Sequence, residues 1–169
     1  ADPPTNAEVD AALAAAVGAL VLQLQQKPDT PAMLVPFTLA DLSGQPVQLD
    51  ARDGRPLVLN LWASWCGPCR RELPMMQALA SRETGIDVVF ANQGETTARI
   101  LDFLDSAELT RAGILRDPDQ ALMSHYGAIG LPATLFFRVD GSLAHGAVGE
   151  ISRAELMRLI DDIRPGGPE

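Results

Sequence analysis

The segment WASWCGPC at residues 62–69 directly follows an apolar run, LVLNL, at residues 57–61. A short apolar run that ends near glycine and proline is typical of a buried β-strand. The Gly-Pro pair cannot continue that strand, whereas proline is well tolerated in the first turn of a helix. We therefore predict that Cys66 and Cys69 lie where a central strand leads into a helix N-terminus.

The spacing of the two cysteines favours redox chemistry. Residues three apart lie on one face of a helix, close enough for their sulfurs to close a small disulfide ring. Unpaired backbone N–H groups and the helix dipole stabilise a thiolate at a helix N-terminus. Cys66 is nearer the helix start, so we expect its pKa to fall below the free value of ~8.5. Cys66 then attacks a partner disulfide, and Cys69 resolves the mixed disulfide.

A zinc site is the alternative use of a cysteine pair. Structural zinc takes four ligands, and beyond this pair the sequence offers only His125 and His145 as further Cys or His ligands. The sequence therefore predicts no metal ion and no other cofactor.

The composition is that of an ordinary globular protein. The chain has 169 residues, of which 47% are hydrophobic and 21% charged, which is enough for one domain with a sizeable core. A net charge of −9 argues against nucleic acid or an anionic membrane surface as a partner. No stretch reaches the ~20 apolar residues that cross a bilayer. The apolar run at residues 11–22 follows acidic residues, so we expect a signal or membrane anchor to be absent from the sequence.

The motif Trp-Cys-Gly-Pro-Cys is that of the thioredoxin active site. The longer string LNLWASWCGPCRRELP, residues 59–74, resembles the TlpA/ResA-like thiol-disulfide oxidoreductases, the extracytoplasmic branch of the thioredoxin superfamily. The resemblance runs from about Val35 to Ile163 and so covers most of the chain. It implies an α/β thioredoxin fold, with a central mixed β-sheet flanked by helices and an N-terminal β-hairpin that minimal thioredoxin lacks. It also implies a periplasmic or other extracytoplasmic location.

The sequence divides into three parts. Residues 1–31 carry an extra N-terminal amphipathic helix, predicted at residues 6–26, and a linker. Residues 32–164 form the thioredoxin-like domain, and residues 165–169 are expected to be a flexible tail. The helix is expected to pack on the domain surface, with a homodimer interface or a juxtamembrane segment as the alternatives.

Within the domain, turn and capping signals set the expected order of elements. The first half comprises a hairpin at 37–49, a strand at 57–62, a helix at 67–80 containing Pro74, and a strand at 86–91 with an exit loop at 92–94. A helix at 96–106, expected to bury Ile100, Leu101 and Leu104, and a short strand at 114–115 follow. The second half comprises a helix capped by Asp117 and Gln120 that runs to Tyr126 and stops at Gly127, a hairpin around Asp140-Gly141, and a last helix capped by Ser152.

Glu72 is predicted to take the proton of Cys69. It lies three residues further along the same helix face, and a partly buried acid beside a thiol should have a raised pKa. The family resemblance also implies an active-site role for Glu72. Thioredoxin has a buried aspartate at the position of Asn60, which cannot take a proton. The alternative is an exposed carboxylate of Glu72 paired with Arg70 and Arg71.

The second family signature is Leu131-Pro132, which resembles the cis-proline of the superfamily. The resemblance implies that the backbone of Leu131 turns outward to pair with an extended substrate segment. The alternative is an ordinary trans proline at a strand start. Residues expected to contact the substrate are Trp65, Gly67, Pro68, Gly130 and Leu131, whereas Trp62 is expected in the core.

These features predict a thiol-disulfide oxidoreductase. The Gly-Pro pair between the cysteines resembles thioredoxin, with a potential of about −270 mV, rather than strong oxidants near about −120 mV, so a reductase is favoured. The resemblance implies disulfide-containing protein substrates, such as apocytochrome c or copper-delivery proteins, and a membrane thiol-electron transporter as reductant. Ala133 stands where cytochrome-maturation members carry a glutamate after the cis-proline, which weakens that assignment.

Other functions stay open. Within the enzyme class the alternative is a disulfide isomerase or oxidase, although only about 40 residues separate Phe90 from Pro132, too few for the helical insertion of dedicated periplasmic oxidases. A thioredoxin-like binding or chaperone module is the alternative from another class. A peroxiredoxin-type peroxidase shares the superfamily, but its threonine-containing motif around the first cysteine is not visible.

Overall fold

The computed structural model describes residues 4–25 and 32–166. The chain divides into two compact units, Ala1–Pro31 and Ala32–Glu169. The predicted linker at residues 27–31 and the end of the predicted tail, residues 167–169, lie outside the described residues.

The described part of the first unit, residues 4–25, contains the helix α1 at Asn6–Gln25, close to the predicted range. Thr5 and Glu8 cap its start, because the Glu8 carboxylate accepts the backbone N–H of Thr5 at 2.8 Å. In the part of the chain that the structure describes, no helix combines the length and the apolar character that crossing a membrane requires. The packing of α1 on the domain, and its use as a dimer interface, stay predictions.

The second unit is built on a mixed sheet of seven strands in the order β2-β1-β5-β4-β3-β6-β7. The central strand β3 pairs in parallel with β4 and antiparallel with β6. The strands are β1 at Thr38–Asp41, β2 at Pro46–Gln48, β3 at Leu57–Trp62, β4 at Asp87–Gln93, β5 at Ile114–Asp117, β6 at Ala133–Phe137 and β7 at Leu143–Val148. The helices are α2 at Gly67–Ala80, α3 at Thr97–Ser106, α4 at Ala121–Tyr126 and α5 at Arg153–Ile163.

The core lies on both faces of the sheet, which explains why β3 is apolar without alternation. All six residues of β3 are buried. Val58 and Trp62 pack with residues of α2, α3 and α5, whereas Leu57 and Leu59 pack in the cluster on the opposite face. The strand that precedes the cysteines is therefore fixed from both sides.

Two predicted details around β4 and α3 are wrong. The strand β4 runs to Gln93 rather than ending at Ala91, because Asn92 pairs in register with Trp62 and is buried. The side-chain amide of Asn92 donates a hydrogen bond to the carboxylate of Glu95, so this polar residue is satisfied inside the protein and not by solvent. In α3 the buried aromatic residue is Phe103, whereas Leu101 is only half-buried.

The predicted start of α4 is also wrong. The helix begins at Ala121, and Gln120 precedes it with a φ of +53° and no side-chain capping bond. Asp117 nevertheless caps the helix from the end of β5, because its carboxylate accepts the backbone N–H groups of Ala121 and Leu122, both at 2.9 Å. The stop at Gly127 is confirmed, with a φ of +65°. Ser152 caps α5 as predicted.

Candidate active site

Cys66 and Cys69 lie at the N-terminus of α2, directly beyond the end of β3. Cys66 is the N-cap residue, with extended backbone angles, and its Sγ accepts the backbone N–H of Cys69 at 3.3 Å. The two cysteines form a disulfide, with their Cα atoms 5.2 Å apart. Both are buried in this oxidised form. A sulfur that already accepts a helix N–H is placed to be stabilised as a thiolate after reduction.

The residues around the disulfide differ in exposure. Trp65 is 66% exposed, and Gly67 is exposed beside it. Pro68 lies in the first turn of α2, where its missing N–H costs nothing. Trp62 is fully buried and packs against Phe103, with ring centroids 5.6 Å apart. The exposed indole is therefore the one next to Cys66.

The peptide bond between Leu131 and Pro132 is cis. In the antiparallel pair of β3 and β6, Ala133 lies opposite Leu61, so Pro132 comes next to the end of β3 that leads to the cysteines. Gly130 and Leu131 are half-buried there. The carbonyl of Pro132 accepts the N–H of Gly149 at 2.8 Å, which links this loop to the end of β7.

Glu72 is a buried carboxyl group beneath the cysteines, with only 2% of its surface exposed. Its Oε1 accepts the side-chain amide of Asn60 at 3.0 Å, and its Oε2 accepts the backbone N–H of Ile151 at 3.0 Å. Burial raises the pKa of Glu72; these two hydrogen bonds oppose the rise, and repulsion from Glu150 adds to it. A carboxyl group with a raised pKa can take up a proton nearer neutral pH than an ordinary glutamate.

The alternative for Glu72, an exposed carboxylate paired with the two neighbouring arginines, is wrong because the side chain is buried. Arg71 pairs instead with Glu150, with Nη2 and Oε2 2.9 Å apart. The guanidinium of Arg70 lies 5.3 Å from the ring centroid of Phe103.

Sequence reasoning missed Glu95, a second buried carboxyl group near the cysteines. It is 7% exposed and accepts the N–H of Ser64 at 2.8 Å, the hydroxyl of Ser64 at 2.5 Å and the side-chain amide of Asn92 at 2.7 Å. Ser64 belongs to the loop between β3 and Cys66, so Glu95 positions that loop. The available signal was the polar run NQGE at residues 92–95, which ends the strand parallel to β3 and so lies at the same sheet edge as the motif.

Within the described residues, no group of three or more His, Cys, Asp or Glu side chains is arranged to hold a metal ion.

Comparison with known proteins agrees with this geometry. The model of the AhpC/TSA family matches residues 31–145. Thiol-disulfide oxidoreductase ResA of Bacillus thuringiensis (strain Al Hakam) is 28% identical over 131 residues, which is 76% of this chain and 75% of ResA. ResA of Bacillus subtilis (strain 168) is 27% identical over 132 residues, which is 77% of this chain and 73% of that ResA.

Among solved structures, that of MTB dsbF in its mixed oxidized and reduced forms superposes with a TM-score of 0.71. The match covers 80% of this chain and 99% of dsbF at 24% identity, and so bears on the fold alone. The predicted thioredoxin fold is confirmed.

Proposed function

The chain belongs to the AhpC/TSA family within the thioredoxin superfamily, and from this we propose that it is a thiol-disulfide oxidoreductase that reduces disulfides in other proteins. The observation that carries the proposal is the disulfide between Cys66 and Cys69 at the start of α2, with the buried carboxyl group of Glu72 one turn further along the helix. Both ResA relatives bear the name thiol-disulfide oxidoreductase, which supports the same reaction.

The first step uses Cys66 in the reduced protein. Its thiolate, stabilised at the N-cap position of α2, attacks one sulfur of the substrate disulfide. A bond forms between Cys66 Sγ and that sulfur, and the substrate S–S bond breaks. The other substrate sulfur leaves as a thiolate and takes up a proton.

The second step uses Cys69 and Glu72. Side chains three apart on a helix are neighbours, so the ionised carboxyl group of Glu72 can accept the thiol proton of Cys69. The resulting thiolate attacks Cys66 Sγ, the mixed disulfide breaks, and the second substrate thiolate leaves and is protonated. Two electrons pass to the substrate, whose two thiolates take their protons from water, while Glu72 releases the proton of Cys69 to water. The protein ends with the disulfide between its cysteines.

The substrate surface of the proposal surrounds this pair. The proposed surface comprises the exposed ring of Trp65, next to Cys66, and the half-buried residues Gly130 and Leu131, which precede the cis-proline. Gly67 and Pro68 form the turn between the two sulfurs. An extended substrate segment would lie against the backbone of Leu131, adding a short strand beside the disulfide.

Family resemblance supplies the finer parts of the proposal. The substrates are extracytoplasmic proteins with a disulfide, apocytochrome c and copper-delivery proteins among them, and a membrane thiol-electron transporter returns the protein to the dithiol form. The protein accordingly works in the periplasm or another extracytoplasmic compartment. A homodimer through α1 is also proposed, on the apolar spacing that predicts an amphipathic helix rather than on family resemblance.

Insulin reduction with dithiothreitol as electron donor tests the proposed reaction. The wild-type protein should accelerate reduction, Cys66→Ser should abolish the acceleration, and Cys69→Ser should accumulate a mixed disulfide with insulin. A binding module would instead hold its partner after Cys66→Ser and show no turnover in any form. Peroxide consumption by the reduced protein, faster than its reduction of insulin, would favour the peroxidase alternative.

An equilibrium titration with glutathione and dithiothreitol tests the direction of electron flow. A potential close to that of thioredoxin, about −270 mV, supports a reductase. A potential well above that of the glutathione pool would make the protein an oxidase or isomerase that uses the same cysteines.

A further inference from the structure

Asn60 is a buried amide in the middle of the central strand. It lies between Val58 and Trp62 on β3, and side-chain alternation places all three on the face that α2 covers. Only 1% of its surface is exposed. A polar side chain is retained there although apolar residues surround it, so its hydrogen bonds are the feature to explain.

The amide nitrogen of Asn60 donates two hydrogen bonds. Nδ2 lies 3.0 Å from Oε1 of Glu72 and 3.1 Å from Oγ1 of Thr134, the residue opposite it on β6. The amide oxygen, Oδ1, is buried and has no hydrogen-bond partner among the described residues. Native proteins rarely leave a buried acceptor unpaired, because its lost hydration is not replaced.

Rotation of the amide group by about 180° would exchange the positions of Nδ2 and Oδ1, which brings Oδ1 to Glu72 and Thr134 and moves Nδ2 to the position that lacks a partner. The present orientation suits an ionised Glu72, because a carboxylate only accepts hydrogen bonds. The rotated orientation suits a protonated Glu72, whose O–H needs an acceptor. Thr134 permits both orientations, because its hydroxyl accepts from Nδ2 or donates to Oδ1 equally well.

We propose that Asn60 is a positioning residue for the resolving step: its amide holds the carboxyl group of Glu72 in both protonation states, donating to the carboxylate and, after rotation, accepting from the carboxylic acid. The proposal rests on the proposed function, in which Glu72 takes the proton of Cys69. The unpaired Oδ1 is then the acceptor that the transferred proton requires. The backbone N–H of Ile151 holds the other oxygen of Glu72 throughout.

The charged groups around Glu72 do not supply this acceptor. On the loop between β7 and α5, Glu150 acts on Glu72 by repulsion, and Arg71 of α2 is paired with Glu150. The cysteines lie on the same helix as Glu72. From the sheet, β3 and β6 present Asn60 and Thr134, neither of which ionises.

Separate measurement of the two chemical steps tests the proposal. Asn60→Leu keeps the approximate size and removes both donor and acceptor. Resolution of the mixed disulfide should slow about tenfold, the equivalent of one hydrogen bond to a charged group. The acid limb of its pH–rate profile, where the rate falls as Glu72 becomes protonated, should move to higher pH because the carboxylate loses a donor. Attack by Cys66, measured in the Cys69→Ser background, should stay within about twofold, because Asn60 contacts the base and not the attacking sulfur.

Thr134→Val is the matched control, because it removes the other partner of Asn60 and leaves the amide beside Glu72. Its resolution rate should stay within about threefold of wild type with an unmoved acid limb, since neutral hydrogen bonds contribute less than charged ones. Equal slowing of both steps in Asn60→Leu, or an unchanged resolution rate, would overturn the proposal.

An NMR pH titration of the wild-type protein tests the proposed rotation of Asn60 without depending on whether a variant folds. In the oxidised protein, the ¹⁵N and proton resonances of the Asn60 side-chain amide should shift with pH. The midpoint of this shift should coincide with the midpoint of the titration that the ¹³C resonance of the Glu72 carboxyl group reports. At low pH the contacts of the amide protons with the Thr134 side chain should be lost. Amide protons that keep those contacts across the titration would overturn the rotation. An inactive wild-type protein would refute the proposed function, while these resonances would still decide on Asn60.

Discussion

The carboxylate of Glu95 accepts the backbone N–H of Ser64 at 2.8 Å, which ties the loop before Cys66 to the end of β4. The loop is therefore held from the sheet as well as by α2. The second carboxylate oxygen accepts the hydroxyl of Ser64, and the amide of Asn92 shares the first oxygen. Three hydrogen bonds on one buried carboxylate make it a support for the position of the attacking cysteine.

Glu95→Gln should weaken this support, because one acceptor oxygen becomes an amide that can only donate. We expect the oxidised protein to lose about 1–3 kcal/mol of free energy of unfolding in urea. Attack by Cys66 on insulin should slow as well, since the N-cap geometry depends on the loop. Ser64→Ala removes one of the three bonds and should cost about 1 kcal/mol. Equal stability of Glu95→Gln and wild type would show that the loop is held by α2 alone.

Glu72 should make the stability of the wild-type protein fall as the pH rises. Its folded pKa is raised above the ordinary value of 4.5, chiefly by burial. Between those two values the native state binds more protons than the unfolded state, so the free energy of unfolding decreases with rising pH. The loss begins near the unfolded pKa and is complete above the folded one.

Glu72→Gln removes this titration, and the glutamine can accept the N–H of Ile151 while donating to Asn60. The difference in free energy of unfolding, wild type minus variant, should therefore decrease from pH 4 to pH 8, by at most about 1.4 kcal/mol per pH unit. Urea unfolding of the two oxidised proteins at several pH values measures it. Parallel stability curves for wild type and variant would mean that the pKa of Glu72 is the same in the folded and the unfolded protein.

Glu150→Gln should lower the pKa of Glu72, because it removes the negative charge that disfavours the carboxylate. The carboxyl ¹³C resonance should titrate at lower pH, and the acid limb of disulfide reduction should follow it. Stability should change by less than about 1 kcal/mol, since the ion pair with Arg71 is exposed. Glu155→Gln is the control, because Glu155 pairs with Arg158 on the exposed face of α5. An equal shift in both variants would point to net charge rather than proximity.

The sequence alone was enough for the strand β3, the helix that follows it and the position of the cysteines between them, because these depend on local signals. Apolar runs, a Gly-Pro turn and capping residues act over a few positions, and the same residues carry the family motif. The prediction failed for polar groups that are buried by contacts with residues far away in the sequence. Asn92 resembled a loop residue, and its burial depends on Glu95 and on pairing with β3.

The same distinction applies to the site. Glu72 could be placed beside Cys69 by helical spacing alone. Its second contact comes from Ile151, 79 residues further along the chain, and Asn60 meets Thr134 across 74 residues. Separations of that kind leave no periodic signal in the sequence, so Asn60 could be recognised only as a residue unable to take a proton. Its hydrogen bonds needed the folded sheet.

Gly113 and Gly85 separate backbone strain from steric contact, because both have a φ of +73°. A β-carbon at Gly113 would lie 2.9 Å from the carbonyl oxygen of Val88, whereas no atom of the described residues comes within 4 Å of a β-carbon at Gly85. Gly85→Ala should therefore cost about 1–2 kcal/mol, the ordinary penalty of an L-residue in the left-handed region. Gly113→Ala should cost more, because Val88 belongs to β4 and its backbone cannot move without disturbing the sheet. Urea unfolding of both variants measures the difference, and equal losses would mean that the β4 backbone yields freely at this point.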